Sequence, residues 1–336
     1  MIDQEVKERA SILKAAPIEI KWHSGVSIFA SEGFLRAVGD GYGWIGGTDD
    51  SGDLRCILPY TIIRKPGFRM VRFRTETLSM GQELDLEEEK SFLSSTVEYF
   101  RSAGADVIIP ATNTAILRTY PDGALAAPYG TFVKDLDQPE ETLWRGIHAD
   151  YRQNIRKAIK VGVRVESGMQ YLETSYDLVA DTLKRSGHKF KSYRKFKDVL
   201  LSFGENLRLF IAEHEGVVQA CMVGPFSEYS AYDWYSGTIS KPVRGSMHLL
   251  LWEALRQFRE MGVKRFNFAG VRISPDKGSK QEGIMNFKMR FGGNLVRGYM
   301  WKYSLRPLKF AAYSLAVRLL MGGDIVDQER HRLARG

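Results

Sequence analysis

The segment "NFKMRFGG", residues 286–293, sets Lys288 between Phe287 and Phe291, just ahead of a double glycine. Read as a helix from about Glu282, it puts Ile284, Phe287 and Phe291 on one stripe, with Lys288 at its edge. Gly292 and Gly293 then end the helix, as residues that tolerate left-handed backbone do. A cation at the rim of an apolar stripe has two uses. Its stem covers hydrophobic surface while the charge snorkels to water, or the charge is held to meet an anion that develops during a reaction. Two basic clusters suggest phosphate recognition. Arg152 and Arg156 lie four apart on one helix face, which Lys157 and Lys160 extend, and Lys189, Lys191 and Arg194 follow in a polar stretch. A solvated helix face is the plainer reading of either cluster. In "KPVRGSMHLL", Lys241 and Arg244 precede Gly245 and Ser246 at a predicted helix start, where exposed amides suit an anion. No nucleophile motif surrounds a Ser or Cys, and the six histidines are scattered without ligand spacing, so no metal site is expected.

The elements that must position these residues alternate along the chain. "GWIGGTDDSGDLRCILPYTIIR" reads as two strands around a hairpin turn, Leu86 to Ala103 as a helix, and "ADVIIPA" and "YGTFVKDL" as strands. One long helical pattern starts at Gln138, with Pro139 in its first turn, and runs to Gly162. Helices follow over Tyr176 to Ser186 and about Tyr193 to Phe203. Three strand-like runs come next, "LRLFIAEHEG", "VVQACMVGPF" and "YSAYDWYSGT", the first two joined at Glu215–Gly216. Strand periodicity in the third run puts Asp233 and Tyr235 on one face. A helix from about Ser246 to Met261, the strand "KRFNFAG", the opening segment and a strand from Leu295 to Tyr303 complete the order. Helices, a meander, a helix and a strand predict an α+β unit with a mixed sheet. Two such units fit the length of 336 residues, residues 1–145 and 146–336, joined near the basic helix.

Bulk composition narrows the class. Apolar and charged fractions of 44% and 26% are those of an ordinary globular protein. Cys56 and Cys221 sit apart in apolar runs, which suits a reducing compartment. The opening "MIDQEVKERASILKAAP" has no apolar stretch and predicts no signal peptide, and no run is long enough to span a membrane, so a cytoplasmic protein is expected. The excess of base, 48 Lys+Arg against 40 Asp+Glu, favours partners that carry phosphate. The tail "RPLKFAAYSLAVRLLMGG" alternates base and apolar residues, as a helix on the inner face of an anionic membrane does, or as one packed on the second domain does.

"ADYRQNIRKAIKVGVRVE" resembles the start of the second domain of FemABX-like proteins, which are tandem Gcn5-related (GNAT) acyltransferase folds. Further likenesses follow in order. "RLFIAEHEGVVQACMV" resembles their hairpin, "YDWYSGT" their aromatic strand, "LLLWEALRQFREMGVKRFNFAG" their helix and short strand, and "FKMRFGG" their Phe-Lys-x-x-Phe-Gly motif. "FASEGFLRAVGDGYGW" is similar to the family's start. The resemblance implies a transferase that moves an aminoacyl group from aminoacyl-tRNA, or another acyl group, onto an amine of a peptidoglycan or polysaccharide precursor, with no tightly bound cofactor. It implies that Lys288 faces the reacting carbonyl and that Phe287 excludes water beside it. The amine must lose a proton, for which Asp233 is a candidate base, and Tyr235 a candidate lining of the acceptor pocket. Arg152, Arg156, Lys160, Lys191 and Arg194 are candidate contacts to a nucleotide diphosphate or tRNA. Two departures leave the donor open between aminoacyl-tRNA and coenzyme A. Arg244, Gly245 and Ser246 do not reproduce the spacing of the coenzyme A signature, and the helical hairpin that some members use on tRNA is missing. A non-catalytic protein that binds RNA or an anionic membrane surface through the same fold is the alternative.

Overall fold

In the computed structural model of the chain, residues 12–335 are described. The opening residues read above for a signal peptide lie partly outside them. In chain order the elements are β1 (Lys14–Ile18), α1 (Glu32–Val38), β2 (Gly41–Thr48), β3 (Leu54–Lys65), β4 (Phe68–Phe73), β5 (Leu78–Ser79), α2 (Leu86–Ser102), β6 (Val107–Ile108) and β7 (Leu125–Asp135). Then come α3 (Glu140–Arg145), α4 (Ala149–Lys160), β8 (Arg164–Ser167), α5 (Leu172–Arg185), α6 (Tyr193–Leu201), β9 (Leu207–His214), β10 (Val217–Pro225), β11 (Ala231–Tyr232) and β12 (Tyr235–Thr238). The chain closes with α7 (Ser246–Glu260), β13 (Arg265–Val271), α8 (Lys280–Arg290), β14 (Asn294–Ser304), α9 (Pro307–Met321) and α10 (Ile325–Leu333).

These form two compact units of mixed α+β structure. One comprises residues 1–21, 39–128 and 298–336, the other residues 22–38 and 129–297. In the first, strands run in the order β1-β2-β3-β4-β6-β14, and all neighbours are antiparallel except β4 and β6. Helix α2 starts on a capping box in which Asp85 and Glu88 satisfy each other's backbone amides. Its Phe92, Leu93, Val97 and Phe100 pack into a core with Ile45, Leu58, Val71 and Trp301. In the second unit the antiparallel order β12-β10-β9-β8 stands beside β7-β13-β11. Glu215 and Gly216, both at positive φ, turn β9 into β10 as the dipeptide predicts. Helix α7 lays Leu250, Leu251, Leu255 and Phe258 against Phe210, Met222 and Phe266.

Two expectations fail at breaks that periodicity does not register. The long helix from Gln138 is two helices, because the chain turns at Gly146 and restarts on His148, whose side chain accepts from the Asp150 amide. The third strand-like run is also two elements, β11 and β12, separated at Asp233 and Trp234. The tail is helical, and α9 packs Phe310 and Tyr313 on Met70, Val107 and Ile109 of the first unit, not on the second domain.

Candidate active site

Helix α8 begins where Ser279 accepts from the Glu282 amide at 3.2 Å and ends at Phe291, with Gly292 at φ +77°. Sequence periodicity put Lys288 at the rim of its apolar stripe and Phe287 within it. The structure reverses this. Lys288 is the buried residue of α8, 9% exposed, while Ile284 and Phe287 are only partly covered and Phe291 is fully buried. The reason lies on β13. Its register against β7 slips between Asn267 and Gly270, and Ala269 takes φ +60°, a left-handed conformation costly for a residue with a Cβ. Asn267 Oδ1 holds this bulge, accepting from the Ala269 amide at 2.8 Å and from the Thr131 hydroxyl at 2.7 Å. The turned carbonyls of Ala269 and Gly270 accept from Lys288 Nζ at 2.9 and 3.1 Å. An ammonium has three hydrogens, so one N–H remains beyond these two bonds. Backbone strain clustered at one point is a mark of functional sites.

The same region places Asp233. Its amide donates to Asn267 O at 2.9 Å, whereas the Trp234 amide donates to Val223 O at 3.1 Å. Residues 231–232 are parallel to β13 and residues 235–238 antiparallel to β10, so the strand changes partners across this one peptide. The Asp233 carboxylate accepts from the Ser236 hydroxyl. Burial raises its pKa, against the opposing pull of Ser236 and the Lys288 ammonium. Burial likewise pushes Lys288 down to about 8, with Asp233 pulling the other way. The two charges feel each other without an ion-pair contact among the described residues.

Lys288 therefore makes a checkable contribution to stability. Its folded pKa of about 8 lies below the ordinary lysine value of 10.5, so the unfolded chain holds more protons between these values and stability rises with pH across that window. Lys288→Met lacks this charge penalty. Its unfolding free energy relative to wild type is expected to be most favourable below pH 8 and to lose on the order of a few kcal/mol of that advantage by about pH 10.5. Denaturant unfolding at the two ends of the window measures this, and a constant difference would contradict it.

The partner switch falls between Asp233 and Tyr235, so no single strand period runs through both. The Tyr235 ring packs with Phe190, Phe196 and Trp234, and burial pushes its phenol up to about 12. Lys191 Nζ donates to Tyr235 Oη at 3.0 Å and lies over the rings of Phe190, Trp234 and Tyr235 at 5.0 to 5.6 Å. Lys191 is thus part of an aromatic nest and not of an open basic face. Arg156, Lys160 and Arg194 are exposed, and Arg152 is half-buried. Arg156 stacks over Trp144 at 5.4 Å. Arg244 Nε donates to Asn154 Oδ1 of α4 at 3.0 Å. Gly245 caps α7 at φ +91°, where a Cβ would lie 2.2 Å from Asn154 O. The Ser246 amide and hydroxyl both donate to Val243 O, so neither is left for an anion.

Several residues of this region gave no signal in sequence: Thr131, Ser236, Asn267 and Ala269, and the rings of Tyr151 and His248 around Phe287. Phe287 lies 5.6 Å from Tyr151, 5.5 Å from His248 and 5.0 Å from Phe291. Burial, with Arg244 nearby, pushes His248 down to about 4, so it stays neutral at physiological pH. Only a strand neighbour can reveal that Asn267 holds a bulge, and "NFAG" carries no such neighbour.

Gly292 fixes the end of α8. A Cβ there would meet Gly146 O at 2.5 Å and Lys134 Nζ at 2.6 Å, on backbone already left-handed. Buried Lys134 sits between Gly146 and Gly292, where α3 and α8 end, and its cation suits the negative ends of both. Gly292→Ala is expected to cost about 2–5 kcal/mol by adding left-handed strain to a displaced carbonyl. Equilibrium unfolding measures it; a loss below about 0.5 kcal/mol would mean that the helix end shifts freely.

Residues 123–215 match the model of the FemAB family. The crystal structure of FemX is 14% identical with a TM-score of 0.65, over 88% of this chain and 99% of that one. The C-terminal domain (DUF2156) of a putative lysylphosphatidylglycerol synthetase from Agrobacterium fabrum is 17% identical with a TM-score of 0.51, over 86% and 92%. A conserved protein of unknown function from Bacteroides thetaiotaomicron is 11% identical with a TM-score of 0.50, over 82% and 90%. No curated protein matches the sequence. The chain is similar to FemX in fold along most of its length and matches the FemAB family model in sequence over residues 123–215.

Proposed function

We propose that this FemABX-like chain is an acyltransferase that moves an acyl or aminoacyl group onto an amine of a cell-envelope or polysaccharide precursor. The observation that carries this reading is Lys288, a buried ammonium fixed by two backbone carbonyls with one N–H to spare, in the field of the half-buried carboxylate Asp233. The match to the FemAB family model over residues 123–215 supports it.

The chemistry follows from these groups. The acceptor nitrogen attacks the donor's carbonyl carbon, a C–N bond forms, and the carbonyl pair moves onto oxygen. Lys288 donates its remaining N–H to that oxyanion, and its prior fixation means little reorganisation is needed as charge develops. Ionised Asp233 takes a proton from the attacking nitrogen, and Ser236 orients the carboxylate through its hydroxyl. The bond from carbonyl carbon to leaving oxygen or sulfur then breaks, the leaving group takes a proton, and an amide remains. Phe287, with Tyr151 and His248, keeps water from the ester. Tyr235, held by Lys191, lines the acceptor side. Aminoacyl-tRNA and acyl-coenzyme A both carry phosphate, and the basic positions Arg152, Arg156, Lys160 and Arg194, with Arg244, would attract either carrier. Each is a co-substrate, so no resident cofactor is required.

The test supplies purified protein with charged tRNA or acyl-coenzyme A and with amine-bearing envelope precursors, and follows acceptor mass. One added acyl or aminoacyl unit is the expected result. No transfer from either donor class, with RNA or anionic vesicles still bound, would replace this reading with the non-catalytic one.

A further inference from the structure

We infer that α9 is a docking helix for an anionic lipid surface, a role independent of the acyl-transfer reading. The helix has fifteen residues, Pro307–Met321, and at ~1.5 Å per residue is too short to cross a bilayer core of ~30 Å. One face is anchored. Phe310 and Tyr313 pack with Met70, Val107 and Ile109, beside Ile63 and Phe68. Behind it, fully buried Lys302 on β14 pairs with Asp324 and Asp327, which fixes the turn that leaves α9.

The opposite face has no cover among the described residues. Leu308, Leu319 and Leu320 are 88%, 77% and 84% exposed, and Leu315 and Met321 are also exposed. With Ala312, positions 308, 312, 315 and 319 fall at helical spacing on one stripe. Exposed leucines scattered singly need no explanation, but a stripe along one helix marks a contact surface.

Charge selects the occupant. Residues 305–321 contain Arg306, Lys309 and Arg318 and no acid. Arg306 and Lys309 reach the buried Asp106, at 3.4 and 3.0 Å, while Arg318 is exposed. Arg64 and Lys65 are exposed beside Ile63 and Phe68, which pack, as Phe310 and Tyr313 do, on Met70, Val107 and Ile109. An apolar stripe flanked only by bases suits leucines set into an acyl boundary beneath anionic headgroups. A second copy of the same helix would instead set its bases against like charge.

The full-length protein is tested by co-sedimentation with phosphatidylcholine vesicles, with and without phosphatidylglycerol. Wild type should bind only the anionic vesicles, less strongly as salt rises. Leu315→Ser with Leu319→Ser should bind about tenfold more weakly or worse, with unchanged melting because both side chains are exposed, and Arg318→Glu should also weaken binding. The inference is overturned if wild type ignores anionic vesicles, or if the leucine changes leave binding intact. It is overturned equally if wild type is a dimer in solution that the leucine changes dissociate, since a second copy would then cover the stripe.

Discussion

Lys288→Met should lower turnover about 100- to 1000-fold while leaving the protein folded. That is the loss seen when one oxyanion donor is removed from an acyl-transfer site. Methionine keeps most of the stem and its apolar contacts, so the change isolates the charge. The two carbonyls that Lys288 binds, Ala269 O and Gly270 O, lose their donor, but removal of the buried charge offsets that cost. Because the interaction strengthens as the oxyanion forms, kcat and kcat/KM should fall together and substrate binding should change much less. The wild-type profile adds a second check. With a pKa near 8, Lys288 is an ammonium below that pH and loses its proton above it, so the wild-type rate should decline on the alkaline side. The variant should lack that decline. Full activity in Lys288→Met would leave the lysine as a structural strap on the β13 bulge.

Asp233→Asn should cost on the order of 100- to 10000-fold, the usual contribution of a positioned base. Asparagine preserves the hydrogen bond from Ser236 and removes only the ability to take a proton. Burial raises the Asp233 pKa, so the wild-type rate should fall at acid pH as the carboxylate protonates. In the variant that limb disappears, and the rate should simply track the free-amine fraction of the acceptor, about tenfold per pH unit below the amine pKa. An unchanged pH profile with an unchanged rate would remove Asp233 from the mechanism. The paired outcome also tests the coupling between the two groups. Without the Asp233 charge, Lys288 loses an interaction that raises its pKa, so the alkaline limb of Asp233→Asn should move to lower pH.

Phe287 shows how burial redirects an expectation. A fully buried phenylalanine cut to alanine would cost ~3–5 kcal/mol, but Phe287 is partly exposed while Phe291 is fully buried. The larger stability loss is therefore expected at Phe291, and Phe287 is freer to serve the site.

Local chemistry determined much of this protein from the sequence alone. Apolar periodicity found α2, α5, α6 and α7, because each buries one face along several turns, and short apolar runs bounded by turn residues found β2, β3, β9 and β10, whose middles are buried on both faces. Glu215–Gly216 fixed its hairpin, since tight turns are settled within a few residues. The order of those motifs pointed to the α+β FemABX-like fold, and "FKMRFGG" pointed to Lys288. What the chain could not state locally was direction. Whether Lys288 snorkels or is buried depends on carbonyls eighteen and nineteen residues earlier, turned by a bulge that Asn267 holds together with Thr131 of the neighbouring strand. Whether Asp233 and Tyr235 share a face depends on a strand that changes partners between one residue and the next, which a period of two cannot encode. Residues 22–38 join the later unit and residues 298–336 the earlier one, because compact units are assembled by contacts across the chain and not by its order. Tertiary pairing sets the register, and register decides which polar atoms meet in the dry interior, where unmet ones are costly.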